Sequence, residues 1–140
     1  MKKIEKAKMM LTDDVTFAAI GKKGEYVSEK RGVAPITELI DSDPDFLKGA
    51  FVADRVIGKA AAMLLESYGV AEIFAEVTSE HAIAYLDGKN IIFSYNKRVQ
   101  YIINRDGTDM CPMEKAVLGT ENSAEAEILI REKLKAMSRR

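Results

Sequence analysis

The fold is decided by the central stretch AFVADRVIGKAAAMLLESY, residues 50–68, which Gly69 follows. Its charged residues are Asp54, Arg55, Lys59 and, near the end, Glu66. The stretch is apolar over about three or four turns, a pattern typical of a helix buried on most of its circumference. It therefore predicts the longest helix of the chain, in which the few charged residues stand out.

The residues before this stretch predict a hairpin and two short helices. Residues 15–20 and 25–28 are two strands joined by the glycine-bearing turn of residues 21–24. A short N-terminal helix is expected at about residues 3–11, and it packs on the domain. A second helix, entered at Pro35, ends at the turn signal of residues 41–44.

After Gly69, strands and helices alternate. Residues 70–77 predict a strand, and Thr78 or Ser79 caps a helix that runs through His81 to Leu86. Residues 91–95 and 99–103 predict two further strands. A C-terminal helix is expected at about residues 121–137. Its inward positions are Ala124, Ile128, Leu129 and Leu134. The order predicts one α/β domain over residues 1–140, with three α/β/α layers and a mixed sheet.

The only cysteine lies in the segment NRDGTDMCPME, residues 104–114, at a predicted helix start. Pro112 suits the first helical position, which makes Cys111 the N-cap. Glu114 then stands where its carboxylate can reach back to the Cys111 N–H. A helix N-terminus stabilises a thiolate, so Cys111 is a candidate nucleophile. The alternative is a small buried apolar side chain.

Helices that start after strands predict a common crevice at the carboxyl ends of those strands. By this rule Asp54, Ser79 and Cys111 meet there. Buried Lys59 would serve as a base or nucleophile, whereas at a helix edge it would extend to water. Asp54 is either a first-turn acid or a partner of Lys59 or Arg105. The planar guanidinium of Arg105 suits a carboxylate or phosphate ligand, and a structural salt bridge to Asp54 or Glu114 is its alternative.

Composition places the chain among globular proteins and excludes several classes of function. Hydrophobic residues make up 47% of the 140 residues and charged residues 31%. A net charge of −1 favours neither nucleic acid nor acidic lipid as a partner. With no signal peptide or long apolar span, we expect no membrane contact and a cytoplasmic location. Seven methionines and the apolar central stretch favour a homo-oligomer.

Three motifs carry a resemblance to a known family. They are RGVAP at residues 31–35, ADRVIGKAAA at residues 53–62, and NRDG with CPME at residues 104–107 and 111–114. Together they resemble a small prokaryotic family of unknown function that is assigned to the cytidine-deaminase-like fold. The resemblance covers about residues 16–118 and implies that fold. It also carries over six candidate site residues: Asp54, Lys59, Asn104, Arg105, Cys111 and Glu114.

Zinc deaminases have a His-x-Glu or Cys-x-Glu motif at one core helix and Pro-Cys-x-x-Cys at the next. In the corresponding places this chain has ADR at residues 53–55 and VTSEHA at residues 77–82. One histidine and one cysteine in all are too few for a conventional zinc site. We therefore expect no metal or other cofactor, and zinc-dependent deamination is disfavoured.

Three functions remain in view at this stage. The first is a cysteine-dependent enzyme acting on a small anionic or nucleotide-like molecule. The second is a non-catalytic domain that binds or senses a small molecule. The third is a purely structural or interaction protein, which the methionines and the apolar central stretch support. The predicted catalytic residues are Cys111, Lys59 and Asp54. The predicted ligand-binding residues are Arg105, Asn104, Ser79 and Glu114.

Overall fold

A computed structural model describes residues 1–138 and shows a mixed α/β domain. Within that range the helices are α1 (Lys3–Met9), α2 (Ala34–Ser42), α3 (Lys59–Ser67), α4 (Glu80–Leu86), α5 (Pro112–Ala116) and α6 (Ser123–Ser138). The strands are β1 (Phe17–Gly21), β2 (Gly24–Ser28), β3 (Phe51–Ile57), β4 (Glu72–Ser79) and β5 (Ile92–Val99). The predicted hairpin, the helix after it and the mixed sheet are confirmed.

The five strands form one sheet in the order β2-β1-β3-β4-β5. Strand β1 is antiparallel to β2 and β3, while β3, β4 and β5 are mutually parallel. Helix α3 connects β3 to β4, and α4 connects β4 to β5. Both helices therefore begin at the carboxyl ends of parallel strands, where α/β domains place their sites.

The two faces of the sheet are covered unequally. Helix α1 packs over β1, β3 and β4, and it buries a small core around Ala53 and Phe74. The neighbouring residues Val52 and Ile73 belong to the larger core on the other face, because successive side chains of a strand alternate. Helices α2 to α6 contribute to that larger core. The domain thus has helices on both faces of the sheet.

The predicted helix over residues 50–68 is wrong, because this stretch is strand β3 followed by helix α3. Gly58 separates the two elements with an extended backbone, φ −93° and ψ −178°. Strand β3 lies in the middle of the sheet with a helix layer on either side, so it has the continuous apolar sequence of a buried helix. Asp54 is therefore a mid-strand residue, and Lys59 is the first residue of α3.

The other differences concern the ends of elements. Strand β5 continues to Val99 in place of a separate strand at residues 99–103, where Ile103 forms only an isolated bridge to Met110. Helix α6 buries Ala126 and Ile130 one turn apart, because these side chains lie in its narrow contact with α3 and α5. Ala124 and Ile128 are exposed and Leu129 and Leu134 are half-buried, so the inward positions predicted for α6 are largely wrong. None of the helices in the described range could span a membrane.

Candidate functional site

The carboxylate of Glu114 joins three segments at the carboxyl ends of β3 and β4. Its Oε2 accepts hydrogen bonds from the Lys59 N–H at 2.6 Å and from the Ser79 hydroxyl at 2.5 Å. Its Oε1 accepts the Ile102 N–H at 2.8 Å. Glu114 is only 1% exposed. Because the Lys59 N–H belongs to the first residue of α3, the carboxylate also lies at the positive end of that helix.

Local sequence explains how the carboxylate fits. A Cβ atom on Gly58 would lie 3.0 Å from Glu114 Oε2 and 3.1 Å from Ile102 Cγ1, so a larger residue would fit only if these neighbours moved by a few tenths of an ångström. Ser79 is the N-cap of α4, as predicted, and its Oγ accepts the Ala82 N–H at 3.1 Å. The same hydroxyl donates its proton to Glu114, so this one residue caps α4 and binds the carboxylate.

The start of α5 is correctly predicted, but the capping box is wrong. Cys111 is the N-cap and Pro112 follows it. The Cys111 N–H donates to the Ile102 carbonyl at 2.7 Å, not to Glu114. Three donors from outside α5 hold the Glu114 carboxylate, and together they outweigh one local contact. Cys111 itself is half-buried against the larger core and makes no capping hydrogen bond.

The Lys59 side chain is buried, at 5% exposed, and is directed to the connection between α5 and α6. Its ammonium lies 2.5 Å from Glu121 Oε2 and donates to the Leu118 carbonyl at 3.2 Å. The ion pair with Asp54 that the sequence left open is therefore not formed. Lys59 contributes its backbone N–H to the Glu114 site and its side chain to a separate contact.

Asp54 is buried in the centre of the sheet, at 5% exposed. It lies opposite Phe17 of β1 and beside Ala75 of β4, two residues of the larger core. Within the described part of the chain, its Oδ2 has no hydrogen-bond partner. Burial raises the pKa of the Asp54 carboxyl well above its usual value, although the Val56 and Arg55 N–H groups oppose the shift. The neutral acid is thereby favoured.

The loop between β5 and α5 holds the remaining predicted residues. The Asn104 Oδ1 accepts the Thr108 N–H at 3.0 Å, and the Asn104 N–H donates to the Asp109 carbonyl at 2.8 Å. Asn104 thus shapes the loop. Arg105 is exposed, and it belongs to none of the ion pairs found among residues 1–138. The salt bridge considered for Arg105, to Asp54 or Glu114, is absent from that range.

The structure brings together three of the predicted residues: Lys59, Ser79 and Glu114. Hydrogen bonds do not join Asp54, Cys111 or Arg105 to this cluster in the part of the chain described. Sequence reasoning missed Gly58, whose position directly before a helix could have marked the cluster. It also missed Glu121, for which the sequence offers no signal. In residues 1–138, no three His, Cys, Asp or Glu side chains are grouped to hold a metal ion.

Two open clefts lie away from this cluster. One of about 450 Å³ is at the amino ends of β4 and β5, where it is lined by Val70, Ala71 and Ile92 among others. The other, of about 250 Å³, lies between α4 and β5. Neither cleft is lined by a predicted catalytic residue.

The sheet order, together with the Glu114 carboxylate that links the starts of α3 and α4, defines a class of protein. It is a small mixed α/β domain with a hairpin at one edge of the sheet and two parallel β-α units. A family model described as TM1506, a domain of unknown function (DUF1893), matches residues 5–134. The chain therefore belongs to this family. The predicted membership of a family of unknown function is confirmed. The cytidine-deaminase-like fold stays a prediction.

A solved structure supports the same assignment. The crystal structure of a DUF1893 family protein (TM1506) from Thermotoga maritima, at 2.70 Å resolution, is 30% identical to this chain. The TM-score is 0.80, and the match covers 94% of this chain and 87% of that one. No curated protein matches the chain.

Proposed function

We propose that this protein is a non-catalytic domain that binds a small anionic or nucleotide-like molecule, with Asp54 as its buried contact. The observation that carries the proposal is the Asp54 Oδ2 atom, which is buried in the sheet centre without a partner. An unpaired polar atom of this kind costs about 1–3 kcal/mol. Buried polar groups without a partner and strongly shifted pKa values are both features of functional sites, and a ligand is one partner that would satisfy the atom.

The chemistry of Asp54 indicates the kind of ligand. Burial raises the pKa of the Asp54 carboxyl and so favours its neutral form, in which an O–H donor lies next to a carbonyl acceptor. A matching ligand carries a hydrogen-bond donor and a hydrogen-bond acceptor side by side, as an amide or the edge of a nucleobase does. Strand β3 is also the central strand of the sheet, antiparallel to β1 on one side and parallel to β4 on the other.

The contacts of the other candidates favour binding over catalysis. The Lys59 ammonium is paired with Glu121, and Glu114 already accepts three hydrogen bonds. These contacts leave Cys111 without an assigned base. The exposed Arg105 is the proposed contact for an anionic group. We also propose a cytidine-deaminase-like fold for the domain, a cytoplasmic location and no cofactor.

A thermal-shift screen tests the proposal with nucleosides, nucleotides and sugar phosphates. A ligand at 100 times its Kd stabilises the fold by about 2.7 kcal/mol. Asp54→Val should abolish the shift because it removes both donor and acceptor, whereas Asp54→Asn, which keeps both, should retain it. Arg105→Gln should weaken the binding of nucleotides more than the binding of nucleosides. Arg31→Gln, at another exposed arginine, is the control. No shift with any compound, or an equal shift in Asp54→Val, contradicts the proposal.

Alkylation of Cys111 separates the binding domain from a cysteine-dependent enzyme. The rate with iodoacetamide at pH 7 is measured on the folded protein and on the protein unfolded in denaturant. For a binding domain, the folded protein should react no faster than the unfolded one. Faster reaction of the folded protein would favour the enzyme.

A further inference from the structure

The two edge strands of the sheet differ in how they are protected. Edge strand β2 has five residues, and its Glu25 is paired with Lys6 of α1. Edge strand β5 has eight residues, and six of them are exposed, including Ile92 at 65% and Tyr95 at 37%. Its charged residues are confined to Lys97 and Arg98. A long edge with few charges is a template for pairing with another strand.

The hydrogen-bonding groups of β5 support this reading. The Ile92 N–H donates to the Ala71 carbonyl on the β4 side. Because alternate residues of a parallel pair bond to the same neighbour, the N–H groups of Phe93 and Tyr95 point away from β4. These groups are available to a further strand.

We infer that β5 pairs antiparallel with the β5 strand of a second copy of this chain, forming a symmetric dimer with a continuous ten-stranded sheet. Charge favours this direction. Parallel pairing would place Lys97 and Arg98 beside the same residues of the partner. Antiparallel pairing carries them to the amino end of the other β5, where α4 ends at the exposed Asp87 and where the ammonium of Lys89 lies over the Tyr85 ring. Two-fold symmetry makes this contact twice.

The spacing of the helices agrees with the same arrangement. Helix α4 packs on both β4 and β5. With strands about 4.8 Å apart, the two α4 helices of the dimer would lie about 10 Å apart on one face, which is a normal distance for packed helices. The cleft of about 250 Å³ between α4 and β5, which Ile83 and Ala84 help to line, lies on the face between them. The second copy of α4 would cover it.

Sedimentation velocity over a range of concentrations tests the inference, with circular dichroism to verify folding. The wild-type protein should be a dimer. Tyr95→Pro removes an outward N–H and should give a monomer, whereas Tyr95→Ala keeps that N–H and should stay more dimeric. A monomeric wild type, or a folded Tyr95→Pro protein that is as dimeric as the wild type, overturns the inference.

A charge exchange keeps the test valid if Tyr95→Pro fails to fold. Lys97→Glu and Asp87→Lys should each weaken the dimer by about tenfold, since each change puts like charges together at two symmetric contacts. The double variant restores opposite charges and should recover most of the affinity. If the dimer affinity of the double variant falls by the sum of the two single effects, pairing through β5 is contradicted.

Discussion

Two buried carboxyl groups in this protein have opposite surroundings. Glu114 accepts hydrogen bonds from Lys59, Ser79 and Ile102 and links the starts of α3 and α4 to α5. Asp54 lies in the larger core with one oxygen that has no partner among residues 1–138. A satisfied buried acid stabilises the fold, while an unsatisfied one costs stability. The comparison supports a structural role for Glu114, and it is the basis of the proposed ligand contact at Asp54.

The largest expected effect is that of Glu114→Ala. The change leaves two N–H groups and one hydroxyl without their acceptor in a buried site, so we expect a loss of about 3–5 kcal/mol in the free energy of unfolding. Denaturant titration measures it. Glu132→Ala, at an exposed position of α6, is the matched control and should stay within about 0.5 kcal/mol. A loss below about 1 kcal/mol for Glu114→Ala would remove the contrast with Asp54.

Gly58→Ala tests the close fit around the Glu114 carboxylate. The added methyl group would meet Glu114 Oε2 at 3.0 Å, so we expect a loss of about 2 kcal/mol. Gly119→Ala is the control, because a Cβ there meets nothing within 4 Å. In a Glu114→Ala background the cost of Gly58→Ala should fall, and the double-mutant cycle measures that coupling. Additive losses would show that the two positions are independent.

Asp54→Asn tests the other member of the comparison through pH. The pKa of Asp54 is raised in the folded protein above the usual 3.8. Stability from the bound proton is therefore present at low pH and is lost as pH rises above 3.8 toward the folded-state pKa. The variant lacks this loss, so it should be about 1 kcal/mol more stable than the wild type at pH 7 and lose that advantage at pH 4.

Thermal unfolding of both proteins from pH 4 to pH 8 measures this difference. Asp14→Asn, at an exposed carboxyl, serves as the control for general effects of charge. If the difference between Asp54→Asn and the wild type does not change with pH, the acid is not held neutral by burial.

The smallest expected effect is that of Cys111→Ser. Cysteine makes no capping hydrogen bond here, and serine is a better N-cap, so the helix that carries Glu114 should gain about 0.5 kcal/mol. Cys111→Ala is the reference for loss of the thiol alone, and chemical unfolding measures all three proteins. Equal stability of the serine and alanine variants would show that the cap position does not support Glu114.

Local signals predict much of the fold but little of the site. The hairpin, the cap at Ser79 and the Cys111-Pro112 helix start all follow from turn and capping residues close in sequence. The sequence of strand β3 predicts a helix because a strand buried on both faces loses the alternation that identifies it. This error also misplaced Asp54, whose functional interest comes from its position in the sheet.

The hydrogen-bond partners of Glu114 show why the rest of the candidate site could not be predicted from the sequence. Its donors Lys59 and Ser79 lie 55 and 35 residues away in sequence, and they meet it only after the sheet is assembled. No spacing rule connects such residues in a single sequence. Similarly, Glu121 meets the Lys59 ammonium only because α5 and α6 pack beside α3.

The proposed ligand contact at Asp54 depends on a buried carboxyl whose neutral form is favoured by burial. A pH titration of the aspartate side-chain carboxyl signals by carbon-13 NMR tests this most directly, with Asp54→Asn used to assign the signal. Asp54 should be the last aspartate to ionise as pH rises, because burial raises its pKa. Ionisation of Asp54 together with the exposed aspartates would contradict it.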